Sequence, residues 1–123
     1  MSANSAPIDP KPRALVADDE RSVRVRVRRS LEALGYEVVE ASDGRMAQET
    51  LEREDFHRVF LNVMMPCLDG FEVLKWLRHH PTKGGTWVAM MTAMTGDRDV
   101  FERQAYRADH YVLKPVDLDR LLP

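Results

Sequence analysis

LVADDE at residues 15–20 carries the decisive pattern of this chain. Leu15, Val16 and Ala17 run apolar without alternation and then stop against Asp18, Asp19 and Glu20. A short unbroken apolar run points to a strand buried on both faces, as in a parallel sheet covered by helices on each side. The acidic stop places carboxylates at the carboxyl end of that strand, where open α/β sheets bind their ligands.

The same rhythm continues outward from that stretch. Residues 22–34 alternate Val and Arg at first, yet Val23, Val27, Leu31 and Leu34 fall on one helical stripe beside Ser30. Val25 is left on the arginine-rich outer side, and Gly35 supplies a helix stop. Residues 36–39 read as a second strand, and 45–53 as a helix with Met46, Ala47 and Leu51 inward. Residues 59–61 read as a third strand. A turn at Asp69-Gly70 leads to a helix over 71–79 that sets Phe71, Leu74, Trp76 and Leu77 against the sheet. Residues 87–91 give a fourth strand, 98–106 a fourth helix, 111–113 a fifth strand and 117–122 the start of a last helix. Five such units predict an α/β doubly wound parallel sheet with helices on both faces.

Composition narrows the function classes. A chain of 123 residues, 44% hydrophobic and 31% charged, suits one domain with one continuous core. No apolar run reaches 18 residues, so no membrane span is expected. Residues 1–12 read as a flexible leader without the apolar stretch of a secretory signal. The single cysteine, Cys67, allows no internal disulfide, which fits a reducing, cytoplasmic setting. A formal charge of −2 argues against nucleic acid as a direct partner. The run Arg21, Arg24, Arg26, Arg28 and Arg29 reads as a solvated helix face. There is no Gly-x-Gly-x-x-Gly after the first strand and no Gly-rich phosphate loop, so no organic cofactor is expected.

Four strands deliver polar groups to one sheet edge: Asp18 and Asp19, Asn62, Thr92, and Lys114. Paired carboxylates beside an amide or carbonyl oxygen suit a hard ion such as Mg²⁺. Thr92 is placed to donate to a phosphoryl oxygen and Lys114 to neutralise its charge. Each residue alone has a plainer role: a helix cap for either aspartate, a turn for Thr92, an ion pair for Lys114. Their joint placement is harder to dismiss.

With LVADDE at 15–20, FLNVMMPCLDG at 60–70, MMTA at 90–93 and YVLKP at 111–115, the chain resembles the receiver domains of two-component response regulators over about residues 13–122. Thirty residues separate Asn62 from Thr92 and twenty-two separate Thr92 from Lys114, which suits that family. The resemblance implies a flavodoxin-like strand order 2-1-3-4-5 and a phosphorelay activity in which an aspartate accepts phosphoryl from a histidine kinase or phosphotransfer protein. It implies Asp18, Asp19 and the Met64 carbonyl as Mg²⁺ ligands, with Asp19 the more direct. It also implies Thr92 and Lys114 as phosphoryl contacts near the Ala93 backbone, Thr92 and Tyr111 as switch residues, and a cis bond before Pro115.

Asn62 stands where the family has its phosphoacceptor. A carboxylate can attack phosphorus to form an acyl phosphate, whereas a neutral amide is a poor nucleophile. Loss of that charge also weakens the expected Mg²⁺ site. Two readings follow: an atypical receiver that signals by protein interaction without aspartyl phosphate, and a conventional phosphoaccepting receiver with a deliberate Asp-to-Asn exchange. A flavodoxin-like small-ligand protein is a third.

Smaller departures bear on partners. Tyr106-Arg107-Ala108-Asp109 stands where the family often has small residues and a glycine. Arginine in a left-handed turn is strained, so an altered connection is expected there. Tyr106 would then modify the face through which receivers form homodimers or contact output domains. Nine residues follow Lys114, which predicts a short final helix and a longer native protein. His57, His79, His80, His110 and Cys67 lack zinc-ligand spacing, and Met64, Met65, Met90 and Met91 read as core or sheet-edge residues.

Overall fold

The computed structural model describes residues 11–93 and 107–123. Its elements are β1 (Arg13–Ala17), α1 (Arg21–Ala33), β2 (Glu37–Ala41), α2 (Gly44–Arg53), β3 (Arg58–Asn62), α3 (Gly70–Arg78), β4 (Trp87–Thr92), β5 (His110–Leu113) and a 3₁₀ turn at Leu118–Arg120. All neighbouring strands pair in parallel, in the order β2-β1-β3-β4-β5. The expected fourth helix at 98–106, Tyr106 and most of the expected leader lie outside the described residues.

Successive strand residues face opposite layers, and that period of two divides the core. Leu15, Ala17, Val59, Leu61, Val88 and Met90 pack with Ala47 and Leu51 of α2 and Val73, Leu74 and Leu77 of α3. Ala14, Val16, Phe60, Ala89 and Met91 pack with Val27 and Leu31 of α1, and with Val116 and Leu121. The central strands are therefore buried on both faces, which is why their sequences read as continuous apolar runs.

Local chemistry sets the helix ends. Asp43 caps α2 by accepting from the Met46 amide at 2.7 Å. Asp69 and Glu72 form a reciprocal capping box at the start of α3. Gly35, at φ +98°, turns the chain out of α1. Two expectations are corrected. Leu34 is exposed, because α1 ends at Ala33 and Leu34 is its C-cap. Met46 is exposed, because it lies in the first turn of α2 with its sulfur toward the Ser42 amide. The expected short last helix is a single 3₁₀ turn, capped by Asp117.

Candidate functional site

The parallel register brings four strand ends to one edge. Ala17 pairs with Leu61, Asn62 with Met91, and Thr92 with Leu113. Asp18 follows β1 directly and is fully buried, with its amide donating to the Ala41 carbonyl at 3.1 Å. Asn62 and Thr92 close β3 and β4 and are buried as well. The Lys114 amide donates to the Thr92 carbonyl at 2.7 Å and fixes the residue just past β5. The Lys114–Pro115 bond is cis.

Behind Asn62 the packing is tight. The Gly70 amide donates to the Val63 carbonyl at 2.8 Å, and a Cβ on Gly70 would collide with the main-chain oxygen of Asn62. Only glycine lets the first turn of α3 approach β3 this closely.

The carboxamide of Asn62 sits at the centre of the pocket. Its Nδ2 donates to the Met64 carbonyl at 2.8 Å and lies 3.3 Å from both Asp18 Oδ1 and Asp19 Oδ1. All three neighbours are acceptors, so only the NH₂ side of the amide can face them. Asp18 Oδ1 also accepts from the Glu20 amide at 2.9 Å. Asp18 Oδ2 is buried without an aligned hydrogen bond, and the Lys114 ammonium stands 2.8 Å away as its counter-charge. Burial pushes the Asp18 carboxyl above the usual carboxylate range, against the opposing pull of Lys114 and the Glu20 amide.

Lys114 therefore pairs with Asp18 rather than with Asp19. Asp18 is the desolvated acid, while Asp19 is exposed and water already screens it. Glu20 lies 3.8 Å from the same ammonium. Arg24 was missed as part of the site. Its guanidinium donates to the Asp18 carbonyl at 2.7 Å and to Glu40 at 3.0 Å. Arg28 joins Glu40 at 3.3 Å, so part of the supposed solvated arginine face is folded back onto β2. The available signal was position: Arg24 falls in the first turn after the acidic stop, beside the strand it anchors.

Two carboxylates and a carbonyl are oxygen donors fit for a hard cation. As arranged, however, they do not fit one, because the Asn62 N–H groups point at the place the ion would take. Among the described residues no group of three or more His, Cys, Asp or Glu forms a metal cluster. Thr92 Oγ1 donates to the neighbouring Ala93 carbonyl at 3.0 Å. Tyr111 is partly exposed on β5. Residue 62 offers a neutral carboxamide, a poorer nucleophile than a carboxylate.

Residues 14–123 match the family model of the response regulator receiver domain. The chain belongs to the receiver-domain family. It is 40% identical to response regulator MprA of Mycolicibacterium vanbaalenii over 110 residues, which cover 89% of this chain and 47% of that protein. It is 39% identical over 101 residues to PhoP of Bacillus subtilis, the alkaline phosphatase synthesis transcriptional regulatory protein, covering 82% of this chain and 41% of that one. The chain thus spans less than half the length of these curated relatives. Among solved structures, chemotaxis response regulator CheY4 of Vibrio cholerae superposes with a TM-score of 0.82 at 31% identity, covering 90% of this chain and 92% of that one.

This receiver keeps the family's five-stranded sheet, and Asn62 sits near the family's phosphoacceptor position. On the approach to β5, Asp109 pins the connection: its Oδ2 accepts from the Val88 amide at 2.8 Å and pairs with Arg78 at 3.1 Å. Among the described residues no helix is long and apolar enough to cross a membrane.

Proposed function

We propose that this receiver serves two-component signalling as a protein-interaction module that is not phosphorylated at residue 62. One observation carries the reading: at the phosphoacceptor position stands a carboxamide whose nitrogen is bound to Asp18, Asp19 and the Met64 carbonyl. Such a group has neither the charge nor the free lone pair that attack on phosphorus requires. The partners that fit are a histidine kinase or phosphotransfer protein as docking partner, with an output domain or a second receiver on the β5 side. A cytoplasmic setting suits those partners. In this proposal Thr92 and Tyr111 are switch residues whose balance is shifted by docking.

Treatment with a small-molecule phosphodonor or a cognate kinase, followed by intact-mass measurement and peptide mapping, is expected to leave residue 62 unlabelled. A stable adduct on Asn62 would overturn the proposal. Retention of Lys114 and Thr92 around the pocket favours a second reading, a conventional phosphoaccepting receiver in which aspartate was exchanged for Asn62. Rapid Mg²⁺-dependent labelling of Asn62→Asp would show the remaining machinery competent, and the natural codon at position 62 would then choose between the two.

A further inference from the structure

We infer that the Asn62 carboxamide is a built-in substitute for a divalent cation, holding the acidic pocket together without metal and making this domain insensitive to Mg²⁺. The inference deepens the proposed function and rests on the receiver assignment of the pocket, but not on which protein the domain docks.

An ion in such a pocket would draw two carboxylates and a carbonyl together and offset their charge. Asn62 Nδ2 occupies that central place, 2.8 Å from the Met64 carbonyl and 3.3 Å from each aspartate oxygen. Its N–H groups carry partial positive charge and meet charged acceptors, the stronger class of hydrogen bond. Charge counting agrees with the geometry. Asp18 and Asp19 bring two negative charges, and Lys114 balances one at 2.8 Å from Asp18 Oδ2. The remaining charge, on exposed Asp19, is left to water. A third carboxylate at position 62 would upset that balance and call for a cation, whereas a neutral amide does not.

Entry of an ion would require the amide to turn its oxygen inward, breaking all three contacts. Gly70 presses against the Asn62 main chain, so the backbone offers little room to relieve that rotation. The pocket is therefore closed to an ion by the chemistry of the amide.

Thermal unfolding in MgCl₂ against NaCl of matched ionic strength tests the inference on the intact chain, Asn62→Asp and Asn62→Ala. The unsubstituted chain is expected to show no Mg²⁺-specific rise in Tm. Asn62→Asp should gain one, with Mg²⁺ binding tighter by about tenfold or more because an anionic ligand has been added. Asn62→Ala removes the amide while leaving the pocket charges, and should be less stable without metal and partly restored by Mg²⁺. Side-chain amide NMR of the intact chain provides a readout that needs no variant: the Asn62 NH₂ signals should stay in place through a millimolar Mg²⁺ titration. Movement of those signals, or a rise in Tm equal to that of Asn62→Asp, would overturn the inference. So would an Asn62→Asp protein as indifferent to Mg²⁺ as the parent, because the amide would then not be what excludes the ion. Phosphorylation of the unsubstituted chain would break the functional proposal and leave these results standing. A Mg²⁺ response in that chain would do the reverse.

Discussion

β1 carries charge at both ends, and the two ends treat it in opposite ways. At its start, Arg13 reaches Glu37 at 2.8 Å and Glu54 at 2.6 Å, with its guanidinium 4.8 Å from the centre of the Phe56 ring. Water still reaches this cluster, and hydrogen bonding to the two glutamates holds the Arg13 pKa above its ordinary value. A similar contact lies next to it, where Arg58 stacks 4.4 Å over Trp87. Five residues on, Asp18 is sealed from solvent with a single ammonium as counter-charge, and burial raises its pKa. The amino edge spreads many weak, screened attractions across partners that can substitute for one another. The carboxyl edge concentrates desolvation in one acid, the arrangement by which proteins tune functional groups. Removing a partner should therefore be mild at one edge and severe at the other.

The largest effect on folding stability is expected from Lys114→Met, which leaves buried Asp18 without its counter-charge. A loss of about 3 kcal/mol is expected in urea unfolding, in the range for breaking buried ion pairs. A loss no greater than that at Arg13 would erase the contrast between the edges. Gly70→Ala comes next, at about 2 kcal/mol from overpacking against the main chain of Asn62. If Gly70→Ala proves neutral, α3 is free to shift and the Asn62 side of the pocket is looser than its geometry implies. Arg13→Ala should cost about 1 to 2 kcal/mol, combining exposed ion pairs with a cation–π contact, and much of that cost should vanish in high salt.

The smallest effect is one of pH. Asp18 binds its proton more tightly folded than unfolded, so in the window between those two pKa values the native state holds more protons. Its contribution to stability is therefore best at pH below its unfolded value and falls as pH rises through the folded one. Urea unfolding of the parent and Asp18→Asn across mildly acidic pH, in chelator, should show the parent gaining relative to the variant as pH falls. A parent that loses ground in that direction would mean that Lys114, and not burial, dominates the acid.

Much of this was legible in the chain itself. Strands buried on both faces must be apolar at every position, so LVA at 15–17 and VFL at 59–61 showed a covered parallel sheet without any partner being known. Because such a sheet collects its strand ends at one edge, Asp18, Asn62, Thr92 and Lys114 could be grouped from their places at the carboxyl ends of strands. Helix ends were harder to read. Leu34 fits an apolar stripe by period, but period does not show that the helix stops one residue earlier.

Sequence by itself determined the layer order, the strand-end residues that meet at the pocket and the absence of a carboxylate at residue 62, since these follow from residue type and from position along a strand. Only the tertiary structure decided who meets whom. It paired Lys114 with Asp18 because that is the desolvated acid, brought Arg24 back to the Asp18 carbonyl, and turned the Asn62 amide toward three oxygens. Those choices depend on burial and on distances in space between groups that lie from two to more than ninety residues apart, and electrostatic energy is set by such distances and by exclusion of water rather than by order along the chain.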